Sequence, residues 1–160
     1  MATENLKFKI KLFATFWDKK PTCELLINDI SVWNGVVDGT AKEPNVIEFE
    51  HPCVENKNYE LILNRQGKDT RQTIINEKGD ILHDQLMHIQ SIQIDEIDIG
   101  ALVYQGVYKP TYPEPWATQQ RKSGVDLPET MKNVTQMGHN GTWTFKFSSP
   151  FYMWLLENLY

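Results

Sequence analysis

The chain has 160 residues, 41% of them hydrophobic and 11% aromatic, which excludes a disordered polypeptide and suits one domain with a core of its own. The 16 Lys and Arg against 21 Asp and Glu give a formal charge of -5 with no basic stripe, so nucleic acid is not an expected partner. No apolar run approaches bilayer-spanning length, so membrane insertion is not expected, and Cys23 and Cys53 stand outside any CxxC or disulfide-rich spacing, as two buried thiols would.

Leu6, Phe8, Ile10 and Leu12 alternate with Lys7, Lys9 and Lys11, the period of two that marks a strand with one buried face. CELLINDISVW follows Pro21 and reads as two strand pieces around Asn28-Asp29, whose side chains suit a tight hairpin. NVIEFE (45 to 50) and NYELILNRQ (58 to 66) are further strands, with His51-Pro52 and residues 55 to 58 as a polar turn between them. Residues 72 to 78 form another short extended piece before Lys78-Gly79-Asp80. From Met87 the alternation returns, but Ile92 and Ile94 lie on one phase and Ile97 and Ile99 on the other, so a bulge or bend is required near Asp95-Glu96. Ile89, Ile92 and Ile94 are then core residues, and Asp95, Glu96 and Asp98 are solvated at the bend.

Pro110, Pro113 and Pro115 punctuate the Tyr/Trp-rich segment that follows, which predicts an extended arm. GTWTFKF restores alternation with Trp143, Phe145 and Phe147 on one face. Ser149 as N-cap and Pro150 at the first position then open a short C-terminal helix that is apolar almost all round. About seven short strands and almost no helical period predict an all-β antiparallel β-sandwich. Residues 1–103 form its core, 104–140 the arm, and 141–160 the last strand and helix, packed on the same domain or on a neighbour.

Candidate chemistry is sparse. Asp80 and Asp84, at a loop-to-strand junction, carry the hard oxygen donors that calcium takes, the alternative being a solvated acidic edge. His83 and His88 are spaced so that they do not share a strand face, which disfavours zinc. GxSxG, HExxH and phosphate-cradling glycine loops are absent from the sequence. A carboxylate pair drawn from Glu48 or Glu50 with Asp95 or Asp98 stays open for glycoside hydrolysis, but the expectation is a non-enzymatic protein. Trp17 and Trp33 are candidates to stack on sugar rings. Tyr108, Tyr112 and Trp116 in the arm, with Phe151, Trp154 and Leu155 in the helix, are candidates to bind a neighbouring subunit.

PTCELLINDISVWNG and GDILHDQLMHIQSIQIDEI resemble strands of calcium-dependent xylan-binding carbohydrate-binding modules. The resemblance implies a jelly-roll sandwich with a calcium ion in a loop, and Asp80 and Asp84 match its acidic loop. DQLMHIQSIQIDEIDI, GVYKPTYPEPW and SSPFYMWLLENL are together similar to small proteins of contractile-tailed, especially marine, bacteriophages. That resemblance implies a place on the virion, made in the host cytoplasm, with other phage structural proteins as partners. The resulting expectation is a virion-associated protein that binds host surface glycans. The rival is an assembly or decoration protein that works through its arm and helix.

Overall fold

The computed structural model describes residues 2–159. Strand β1 (Thr3–Thr15) lies at the centre of a five-stranded antiparallel sheet, flanked by β4 (Asn45–Val54) and β8 (Leu86–Ile94); the short β9 (Ile97–Asp98) and β12 (Gln136–Met137) both pair with β8. The facing six-stranded sheet runs in the order β11 (Met131–Lys132), β10 (Val107–Pro110), β13 (Gly141–Ser148), β5 (Asn58–Gln66), β2 (Thr22–Ile27) and β3 (Ile30–Val36). A small hairpin, β6 (Ile74–Ile75) with β7 (Ile81–His83), stands apart from both.

The predicted sandwich follows directly from the alternation. Leu6, Phe8, Ile10 and Leu12 of β1 are at most 2% exposed, and each such side chain contributes about 1.5–3 kcal/mol by leaving water. Phe8 stacks on its cross-strand neighbour Phe49 at 4.8 Å and reaches Phe147 of the opposite sheet at 6.0 Å. Leu25, Ile27, Leu61, Leu63, Trp143, Phe145 and Phe147 complete the core from the six-stranded side. Cys23 and Cys53 are buried, free thiols. The Asn28-Asp29 hairpin forms as its sequence requires: Asn28 adopts φ 55, and its Oδ1 accepts the Glu60 amide at 2.9 Å.

Several local expectations are corrected. His51 and Pro52 are not a turn but continue β4 to Val54; β4 is an edge strand, where a missing N–H is tolerated. The phase change after Ile94 is a two-residue turn, with Asp95 at φ 51 and Glu96 at φ 66, which reverses the chain into β9. Ile92, Ile94 and Ile99 are all buried by that reversal. Residues 104 to 140 do not run as an extended arm. Val107–Pro110 pair with β13, Trp116–Lys122 form helix α1, and Met131–Lys132 and Gln136–Met137 add strands to opposite sheets. The prolines bracket these elements instead of breaking them, since Pro110 closes β10 and Pro115 precedes α1.

Helix α2 (Phe151–Asn158) is capped from β1, not by Ser149. The Glu4 carboxylate accepts the Phe151 amide at 2.7 Å and the Ser149 hydroxyl. Phe151 and Leu155 are buried in the chain's own core, and Trp154 meets Phe145 edge-on at 5.6 Å. Those three side chains, expected to face a neighbouring subunit, therefore hold the helix on its own sandwich. Tyr152, Met153 and Leu156 on the helix, and Leu159 just past its end, remain exposed.

Candidate binding groove

Just beyond β10 the Thr111 amide donates to the Asn140 carbonyl at 2.6 Å. Tyr112 then donates its hydroxyl to the Pro128 carbonyl at 2.6 Å, which fixes the 127–129 segment opposite α1. The Glu114 carboxylate secures the first turn of α1, accepting the Thr118 amide at 2.8 Å and the Thr118 hydroxyl at 2.6 Å. Ala117 is the one buried helix residue, small enough to let α1 lie close. Between α1 and the returning segment lies an open groove of about 550 Å³, lined by Tyr112, Glu114, Ala117, Arg121, Leu127 and Glu129 beside Pro110. Its size suits a small-molecule ligand.

An aromatic cluster backs the groove. The Trp116 ring lies 6.2 Å from Tyr112, and His139 meets Tyr112 edge-on at 5.1 Å and Trp116 at 5.4 Å. The Arg121 guanidinium sits 6.0 Å from the Tyr112 ring centre, within cation–π range. Bonds from the Thr118 hydroxyl and amide hold the Glu114 carboxyl below its usual range. Burial pushes the Tyr112 phenol up and the His139 imidazole down to about 4. At neutral pH the wall is therefore an uncharged aromatic surface beside an ionised carboxylate and a guanidinium.

The turn that carries His139 is held from below. Tyr108 is buried, and its hydroxyl donates to the His139 carbonyl and accepts the His139 amide at 2.9 Å. Lys68 Nζ donates to the Gly138 carbonyl at 2.6 Å and to Asp84 Oδ1 at 2.8 Å. Asn140 Oδ1 accepts Arg65 Nη1 at 2.8 Å and the Lys68 amide at 3.0 Å, while its Nδ2 donates to the Lys68 carbonyl at 3.0 Å. Arg65 is wholly buried and also donates to the Gln85 carbonyl.

The structure does not bring Asp80 and Asp84 together. The Asp84 Oδ1 already accepts Lys68, the Thr73 hydroxyl and the Gln85 amide, each at 2.8 Å. Burial alone would raise this carboxyl, and the three bonds together outweigh it and hold it below its usual range. Asp80 is exposed at the far end of β7, with its amide bonded to Asn76 Oδ1. The three residues of β7 between them set the two Cα atoms about 13 Å apart. Among the described residues, no three His, Cys, Asp or Glu side chains are grouped to hold a metal. The calcium implied by the resemblance has no matching donor set at these positions.

The other sequence candidates scatter. Trp17 is 45% exposed, stacks on His83 at 4.9 Å and donates its indole N–H to the Gln72 carbonyl. Trp33 lies half-buried along edge strand β3, over Gly35, where an added Cβ would fall 2.7 Å from the indole. The structure does not bring these two indoles into one stack. Tyr108, expected to face a partner, is instead committed to the His139 turn. Glu48 and Glu50 line a shallow groove on the five-stranded sheet beside Lys7, Lys9, Gln93 and Glu96. Asp95 and Asp98 each accept a backbone amide, from Lys7 and Gly100, the ordinary use of an acid in a turn. Tyr112 is the candidate that lines a groove, with Trp116 packed beside it. Glu114, Arg121 and Glu129 were not legible as its members, nor His139 as the ring packed on Tyr112; the local signal was the four-residue spacing from Tyr112 to Trp116 at the start of a helix.

No protein-family model and no curated protein matches the chain. Two solved structures are similar to it. One is the selenomethionine form of vCBM60, described in connection with a circular permutation linking two families of calcium-dependent carbohydrate-binding modules. It has 8% identity and a TM-score of 0.48, over 88% of this chain and 89% of that one. The other is vCBM60 in complex with galactobiose, with 9% identity and a TM-score of 0.47, over 87% of this chain and 96% of that one.

Proposed function

We propose that the protein is a non-catalytic carbohydrate-binding β-sandwich of a bacteriophage particle, and that host surface glycan binds in the groove between α1 and residues 127–129. One observation carries the reading: the Tyr112 ring, backed by Trp116, lines the same groove that presents Arg121, Glu114 and Glu129. A sugar ring has an apolar face that aromatic side chains cover and a rim of hydroxyls that planar charged groups bridge. Binding is favoured over hydrolysis because a glycosidase acid needs a raised carboxyl pKa, whereas Glu114 is lowered by its helix-capping bonds. The virion setting is supported by the phage resemblance of three segments.

A glycan array followed by calorimetric titration tests the groove. Tyr112→Ala and Arg121→Ala should each weaken binding at least about tenfold, the loss of one stacking or charge-assisted contact, and Trp33→Ala should leave it unchanged. Absence of binding to any glycan at millimolar concentration sinks the reading. Mass spectrometry of purified particles tests the setting.

The assembly reading keeps a foothold in α2, whose Tyr152, Met153 and Leu156 present apolar surface to solvent, with Leu159 just beyond. Leu156→Asp together with Tyr152→Asp should then block incorporation into particles while glycan titration stays unchanged. Normal incorporation of that double variant removes the assembly reading.

A further inference from the structure

We propose that the Lys68 ammonium is the resident cation of the loop cluster beneath the groove, a positioning residue that fixes the Gly138–Asn140 turn, and through it the groove's aromatic wall, without a metal ion. The proposal rests on the groove being the ligand site. Lys68 is 12% exposed at its side chain, and its ammonium is seated on a carboxylate oxygen and a backbone carbonyl, at 2.8 and 2.6 Å. Those are the donor types that a hard cation collects from loops.

The seat joins three stretches of chain that are distant in sequence. Asp84 Oδ1 also holds Thr73 ahead of β6 and the Gln85 amide at the start of β8. Gly138 leads directly into His139, whose ring touches Tyr112 and Trp116. Fixing one ammonium therefore fixes the β6–β7 hairpin, the start of β8 and the turn behind the groove together.

The charges argue against an added ion. Arg65 is buried with the neutral Asn140 and Gln85 oxygens as its acceptors. Arg65 and Lys68 thus bring two positive charges against the one negative charge of Asp84. A divalent ion at Asp84 would have to displace Lys68 from the oxygen it occupies and leave two buried cations beside it.

Thermal melting and glycan titration of the intact protein test the idea. Wild type should melt at the same temperature, and bind the array-selected glycan equally, with a chelator and with millimolar calcium. A calcium-dependent rise in either overturns the proposal. Lys68→Met keeps the aliphatic stem and removes the charge, and should weaken glycan binding about tenfold, the scale of a lost charge-assisted bond. Ile10→Val, in the core of the opposite sheet, should lower the melting temperature without that loss of affinity. Lys68→Ala should regain melting temperature and affinity on addition of ethylammonium but not of sodium, a rescue that a merely space-filling role would not give. Wild-type affinity in Lys68→Met overturns the proposal. If the Lys68 variants do not fold, the wild-type calcium titration still decides it. If wild type binds no glycan, the groove reading fails, while calcium-insensitive melting and ethylammonium rescue still judge Lys68.

Discussion

Burial holds the His139 imidazole down to about 4, with Lys68 adding to the shift, Asp84 opposing it and Arg65 adding to it again. A free imidazole titrates near 6.5. Between those values the unfolded chain takes up a proton that the folded chain refuses, so stability falls as pH falls from about 6.5 towards 4. With allowance for the partial exposure of the ring, the loss is about 1–2 kcal/mol. Urea denaturation at pH 7 and pH 4.5 should show it, and His139→Gln should flatten the difference. Burial shifts His51 and His88 in the same direction; an unchanged pH slope in His139→Gln would assign the acid sensitivity to those two and to the lowered carboxyls of Glu114 and Asp84. The roles of His139 and Lys68 were not legible in the sequence, because what defines them is tertiary. Asp84 and Lys68 are 16 residues apart, and Lys68 and Gly138 are 70 apart. Composition displayed the acid at position 84 but not the ammonium that occupies it.

At the scale of elements, legibility tracked strand length. β1, β5, β8 and β13 are long enough for alternation to declare the buried face, and the Asn28-Asp29 hairpin announced itself by residue type. β11 and β12 have two residues each, too few for any period, and their pairing is imposed by neighbouring strands. The Asp95-Glu96 turn was legible as a change of phase but not as a hairpin, because neither residue is glycine and both adopt left-handed φ. A two-residue turn with both central φ positive favours Asn-Gly. Glu96 is exposed, and its carboxylate accepts no hydrogen bond identified in the structure. Glu96→Gly should therefore relieve backbone strain worth more than the flexibility it adds, stabilising the fold by about 0.5–1 kcal/mol. An unchanged or lower denaturation midpoint would mean that the strain is negligible or that the Glu96 side chain contributes stability.

At the scale of the molecule, residues 104–140 join the two sheets: β10 and β11 extend the six-stranded one, and β12 extends the five-stranded one. The joining points are few and buried or half-buried, with Tyr108 and Met137 in the core and Met131 packed against it. Tyr108 pairs with Met131, and Val107 pairs with Lys132, in an antiparallel ladder, so residues 113–129 leave and return at nearly the same place. That excursion carries α1 and most of the groove, while the sandwich core lies outside it. Replacing residues 113–129 with a four-residue Gly/Ser turn should therefore leave β10, β11 and β12 paired. Loop-closure entropy would recover about 1 kcal/mol on shortening, against the loss of the contacts of Ala117, Trp116 and Leu127. The expected protein is folded, with far-ultraviolet dichroism typical of a sandwich and a modestly lower melting temperature, and it has lost all glycan affinity. Retained glycan affinity would move the binding site to another face of the sandwich, while loss of cooperative unfolding in the shortened chain would show that the excursion is part of the core and not a graft upon it.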